Sequence, residues 1–124
     1  MIEDIRNQLR RSKEIDAEYE MLNAYQLTAT EMTETQIKRM NTLFKQRKQI
    51  CIWLAMLSED ETYVVRRHLI DGIDFPRIAL EYQNRWGSEF AKTERTLKMY
   101  QKRALEKIEM LEYTKERMGI NNVH

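Results

Sequence analysis

The stretch Leu57–Leu111, LSEDETYVVRRHLIDGIDFPRIALEYQNRWGSEFAKTERTLKMYQKRALEKIEML, decides how this chain reads. Ser58 is a good N-cap, and Glu59, Asp60 and Glu61 follow in the first turn, where the helix dipole favours negative charge. The helix they start is expected to turn Val64, Val65, His68 and Leu69 inward. It ends at Asp71-Gly72, where glycine suits the left-handed residue of a C-cap. Asp74 then caps a second helix with Pro76 in its first turn, where a missing N–H costs nothing. Ile78, Ala79 and Tyr82 mark its buried face. Around Gly87-Ser88 the chain turns, and Thr93 caps a long basic helix predicted to reach about Met118. A capped helix, a tight turn, a short helix and then a long basic helix is the order of parts in a helix-turn-helix reader of the DNA major groove.

Upstream of this stretch the periodicity is that of two helices. Ile2, Ile5, Leu9, Ile15, Tyr19 and Leu22 recur at three- to four-residue steps, which predicts one helix over residues 1 to 27, its seam interrupted by Ser12 and Asp16. A polar connection, Thr28-Ala29-Thr30-Glu31-Met32-Thr33, follows. Thr33 with Gln36 has the spacing of a capping box for a second helix to about Leu57. That helix is expected to bury Ile37, Met40, Leu43, Phe44, Ile50, Trp53, Leu54 and Leu57. Joined by a short loop, the two should lie antiparallel as a hairpin. Two helices cannot hide all these side chains, so the leftover stripe must face the C-terminal unit or another subunit, and a homodimer through the hairpin is expected.

Composition agrees. Three Gly and one Pro in 124 residues leave few turns for an all-β fold, and the abundance of Leu, Glu, Lys and Arg favours helix. The fold class is therefore all-α, an N-terminal antiparallel hairpin (1–57) followed by a helix-turn-helix bundle (58–118), with 119–124 a frayed tail. Net charge is only +1, so the distribution of charge matters more than its sum. Between Lys92 and Lys107 six basic residues face two acidic ones, and between Lys38 and Lys48 five basic residues face none. Cys51, the single cysteine, sits in the apolar run Ile50–Leu54 and reads as a small structural hydrophobe. No signal-peptide pattern and no apolar run of membrane-spanning length is present, which points to a cytoplasmic protein with no membrane partner.

The residues quoted above meet a family. Leu57-Ser58-Glu59-Asp60-Glu61, Arg77-Ile78-Ala79, Thr93-Glu94-Arg95-Thr96-Leu97 and Arg103-Ala104-Leu105-Glu106-Lys107-Ile108 resemble region 4 of sigma-70-type factors. The chain is most similar to the short phage and prophage late-gene activators of the ArpU and RinA type. The resemblance covers about residues 57–111 and leaves out the hairpin. It implies a module that reads promoter DNA with the helix starting at Thr93 and touches RNA polymerase. By position, Thr93 matches the cap of the recognition helix and Leu97 its buried aliphatic. The step of fourteen from Ala79 to Thr93 exceeds the family's spacing, and Arg85, Trp86, Gly87 and Phe90 are expected to form an extended turn or a wing.

Helical spacing reaches the same face independently. Leu97, Tyr100, Ala104, Ile108 and Leu111 form an inner stripe, which leaves Arg95, Lys98, Met99 and Lys102 outward. The candidate DNA-binding set is Lys92, Thr93, Glu94, Arg95, Thr96, Lys98, Met99, Lys102 and Arg103. Arg suits a bidentate contact to guanine, Lys a base or phosphate contact, and Thr93 with neighbouring N–H groups a phosphate. Glu94 serves the helix dipole better than it serves cytosine. His68 has no companions at metal-ligand spacing, and Glu59-Asp60-Glu61 point in different directions, so no metal or cofactor is expected. There is no nucleophile–base pair, Gly-rich phosphate loop or HExxH pattern, and no small-molecule substrate or enzyme activity is expected. The leading expectation is a phage-encoded, double-stranded DNA-binding transcription regulator. The competing readings are a small terminase-type packaging subunit and a protein-only adaptor or inhibitor acting through the hairpin.

Overall fold

Four of the six helices begin at a polar side chain that accepts a backbone N–H of the first turn, as their sequences dictate. The computed structural model describes residues 1–28 and 31–119. Its helices are α1 (Ile2–Arg10), α2 (Ser12–Thr28), α3 (Glu34–Ala55), α4 (Glu59–Val65), α5 (Phe75–Trp86) and α6 (Glu94–Arg117), and no strand occurs among the described residues. The protein is all-α. Thr33 and Ser58 each close a full capping box, with Gln36 and Glu61, while Asp74 and Thr93 cap α5 and α6. Ala29, Thr30, the side chain of Phe90 and the tail 120–124 lie outside the described residues.

The single helix expected over residues 1–27 is two. Arg11 leaves helical geometry (φ −88°, ψ 2°), and its N–H is shared between the carbonyls of Asn7 at 3.1 Å and Gln8 at 3.2 Å. The break falls where the apolar seam is interrupted, and Ser12 is buried beside it. Its effect is to re-aim the chain. α1 packs on α6 and on the turn after α4, whereas α2 packs along α3. Gln8 meets Gln49, Asp16 meets Arg47 and Glu18 meets Arg39, so rising numbers on one side pair with falling numbers on the other. α2 and α3 therefore run antiparallel.

α3 buries Leu43, Ile50, Trp53 and Leu54 as expected, and Met40 and Leu57 partly. Ile37 and Phe44 do not follow: they are 48% and 50% exposed. Cys51 is exposed as well. The reason is geometric. Five consecutive apolar residues, Ile50–Leu54, cannot all face one side of a helix, and Ile50, Trp53 and Leu54 take the inner side.

α4 passes into a π-helical turn, Arg66–Ile70, in which the Asp71 N–H reaches back five residues to the Arg66 carbonyl at 2.8 Å. Gly72 (φ +73°) and the Ile73 N–H, bonded to the Arg67 carbonyl at 2.9 Å, end it. Arg67 then locks the corner, donating to Asp71 at 2.7 Å and to Glu81 of α5 at 2.6 Å, while Lys13 of α2 reaches Asp71 at 2.9 Å. α5 continues to Trp86 before Gly87 (φ +93°) breaks it, a backbone conformation that side chains bearing a Cβ rarely adopt. The extended turn or wing expected to include Arg85 and Trp86 is thus shorter: Asn84, Arg85 and Trp86 are the last turn of a helix.

Two apolar clusters result. The larger gathers Ile5, Leu9 and Ile15, Leu43, Ile50, Trp53 and Leu54, Val65 and Leu69, and Ala104, Leu105 and Ile108. It crosses the boundary expected at Leu57, because α1 closes over α6. The smaller joins α4, α5 and α6 through Val64, Ile78, Tyr82 and Leu97, with Phe75, Trp86 and Tyr100 at its edge.

Candidate nucleic-acid interface

The face in question is built by its inner stripe. Leu97, Ala104 and Ile108 are fully buried, Leu105 nearly so, and Tyr100 and Leu111 are half-buried. With that side committed to both clusters, Arg95, Lys98, Met99, Lys102 and Arg103 are left exposed, as are Thr93 and Glu94 at the start of α6. Lys92 and Thr96 are half-buried. The Thr93 hydroxyl accepts the Thr96 N–H at 3.2 Å and lies 3.0 Å from the Thr96 hydroxyl, so both threonines serve the cap.

α6 is clamped to α4 by Glu61. The Ser58 N–H donates to its Oε1 at 2.9 Å, and Lys107 Nζ donates to the same oxygen at 2.7 Å. Burial alone would raise this carboxyl. The Lys107 contact and the Ser58 N–H override it and hold Glu61 below the usual carboxylate range. Asp60 accepts from the Tyr82 hydroxyl, so two of the three acids in Glu59-Asp60-Glu61 are tied to different helices. Among the described residues no group of His, Cys, Asp and Glu is arranged to hold a metal ion.

Ion pairing separates the two basic stretches, which sequence alone leaves equivalent. On α3, Arg39 is engaged by Glu18, Arg47 by Asp16 at 3.0 Å and Glu20 at 3.6 Å, and Lys38 by Glu34 at 3.1 Å. On α6 and just before it, Lys92, Arg95, Lys98, Lys102 and Arg103 form no ion pair among the described residues. Three of the five cations on α3 are thus answered, two of them by α2, while Lys45 and Lys48 form no ion pair among the described residues. The other stretch offers its charge to solvent.

Sequence reasoning missed three participants. Arg6 and Arg10, one turn apart on α1, carry extra charge to the flank of α6 that holds Lys98. Their spacing is legible, but the element they meet is not. The third is Gln101, buried beneath Lys98, whose Oε1 accepts the Nδ1–H of His68 at 2.6 Å while the imidazole stacks on Phe75 with centroids 4.0 Å apart. Trp86 packs edge-on to Tyr63 at 5.0 Å and against Tyr82 at 4.1 Å, with the Arg85 guanidinium 4.9 Å above it, so its ring faces are used within the fold.

His68 gives this face a pH signature. Burial pushes its pKa below 6.5, the Gln101 bond works against that, and Arg10, Arg6 and Lys98 add to the lowering. A folded-state pKa below the unfolded value means stability that is whole above about 6.5 and falls as the pH drops through the folded value. Urea unfolding from pH 7.5 to 5.5 should therefore show a loss of stability that His68→Gln reduces. An identical pH profile in the variant would contradict this account.

The chain matches no protein-family model, and no curated protein or solved structure is significantly similar to it. Among the described residues no helix is long and apolar enough to cross a membrane.

Proposed function

We propose that this protein is a sequence-specific, double-stranded DNA-binding transcription regulator that enters the major groove with the N-terminal half of α6. The observation that carries the reading is the set of five cations without an ion pair among the described residues, Lys92 just before α6 and Arg95, Lys98, Lys102 and Arg103 on it, with the opposite side of the helix locked by Leu97, Ala104 and Ile108. Groove readers need that combination: a rigid element, and charges not already spent inside the protein. The small cluster of Val64, Ile78, Tyr82 and Leu97 supplies the three-helix support for it. The sequence resemblance to sigma region 4 and to the ArpU and RinA type activators points the same way, and adds RNA polymerase as a proposed partner and a phage or prophage as the proposed source. An electrostatic contact of this kind releases counterions. Anisotropy titrations on a duplex promoter fragment should give a log–log salt slope of about −3 to −4, for roughly four phosphates neutralised. A slope near zero would exclude this face as a phosphate contact.

The same reading makes the far end of α2 and α3 a homodimer contact. Met21, Tyr25, Leu27, Ile37 and Phe44 are exposed there, an apolar surface that water covers poorly. Two copies would place two α6 helices on one duplex, as paired half-sites require. Sedimentation equilibrium should give a dimer, and Ile37→Asp with Phe44→Asp should give a monomer. A wild-type monomer at micromolar concentration would refute the dimer, and a ring of many subunits would favour the terminase-type reading.

A further inference from the structure

The flank of α6 that faces α1 is not filled by protein. A cleft of about 430 Å³ opens there, between α1, the start of α5 and α6. Its floor is apolar, made by Ile2, Phe75 and Leu105. Around the floor stand Arg6, Lys98 and Lys102, and no carboxylate lines it among the described residues. Gln101, only 8% exposed, closes the back with its oxygen already taken by His68.

The cations around this cleft are poorly satisfied by the protein itself. Lys98 and Lys102 have no ion pair among the described residues, and Lys98 Nζ sits 5.6 Å from the centroid of the Phe75 ring. Among the described residues Arg6 is held only by the exposed Glu3, at 3.5 Å, and its Nε is buried without a hydrogen-bond partner. A guanidinium presents its N–H donors in a planar fork that matches a carboxylate or a phosphate. An inorganic anion would answer the three charges but leave the apolar floor wet. A neutral hydrocarbon would cover the floor and leave three charges unanswered. The size of the cleft lies in the range of small-molecule sites, which are mostly apolar with a few placed polar groups.

We infer that this cleft binds a small anionic amphiphile, an organic carboxylate or phosphate monoester with an aromatic or alkyl body. The body lies on Ile2, Phe75 and Leu105, and the head accepts from Lys98, Lys102 and Arg6. The site stands independently of the DNA reading. Its ligand would nevertheless engage two of the cations that reading offers to phosphate.

The test is a titration of the full-length ¹⁵N-labelled chain, followed by amide NMR, with 2-naphthoate, octanoate and phenyl phosphate. At least one should give saturable shifts gathered on residues 2–6, Phe75 and 98–105. Carboxylate against phosphate probes then identifies the head group. Arg6→Gln and Lys98→Gln should each weaken that probe by about tenfold, while Lys48→Gln on α3 leaves it unchanged. 2-Naphthalenemethanol and inorganic phosphate, each carrying half of the recognition, should bind at least about tenfold more weakly. The inference is overturned if none of the three amphiphiles shifts these amides saturably, or if both variants keep wild-type affinity with folded spectra. It also fails if inorganic phosphate or the neutral alcohol binds as well as the amphiphiles, for then charge or grease alone is being read.

Discussion

Arg95→Ala and Lys98→Ala are each expected to weaken binding to a specific duplex by roughly 1–3 kcal/mol, about five- to 150-fold. Both residues are exposed, so neither substitution opens a cavity, and stability should stay within about 0.5 kcal/mol of wild type. Neither side chain is spent on an ion pair among the described residues, so the change removes charge from the outer face, and in Lys98→Ala also the contact of Nζ with the Phe75 ring, 5.6 Å from its centroid. Arg95 stands in the first turn of α6, where a side chain can fork onto a guanine edge. Lys98 is one turn further along and nearer α1, better placed for phosphate. Their effects should differ in kind. Arg95→Ala should relax preference at one base pair, while Lys98→Ala should weaken all sequences alike and lower the salt slope by about one. Lys48→Ala, an exposed cation on α3 outside this face, is the control and should change little. Wild-type affinity in both α6 variants would mean that the reading face is elsewhere.

The second large effect concerns the fold. Leu9→Ala should destabilise the protein by about 2–5 kcal/mol, the range for removing a buried leucine side chain. Leu9 is fully buried in the cluster shared by α1, α2, α3, the π-helical turn and α6. The outcome worth measuring is the shape of the transition as well as its midpoint. Because one cluster spans both sides of Leu57, urea unfolding should remain a single cooperative step, with probes near Trp53 and near Trp86 moving together. A loss confined to the Trp53 signal, with the C-terminal helices still folded, would show that α1 is an attachment to that unit instead of part of its core.

What could be read in advance was local. A cap needs one polar side chain three residues from the N–H it accepts, so Thr33, Ser58, Asp74 and Thr93 announce their helices without knowledge of anything distant. The inner stripe of α6 is local in the same way. The misses are tertiary. Nothing near Arg11 requires a break, which follows from α1 and α2 packing on different partners. The π-helical turn at Arg66–Ile70 is held by Arg67 reaching Glu81, fourteen residues away. The exposure of Ile37 and Phe44 depends on which side of α3 finds a neighbour. For the candidate site, the outward positions were legible. Which basic stretch stays unneutralised was not, because that depends on the acids of α2 lying alongside α3 and on no such helix lying along the outer face of α6.

Sequence-specific reading of duplex DNA by α6 can be measured by selection from a random duplex library with the purified protein. Wild type should enrich one discrete sequence, and the Arg95→Ala, Lys98→Ala double variant, folded as judged by its unfolding curve, should fail to enrich it. No enriched sequence from wild type, or the same sequence enriched equally by the double variant, would contradict the account.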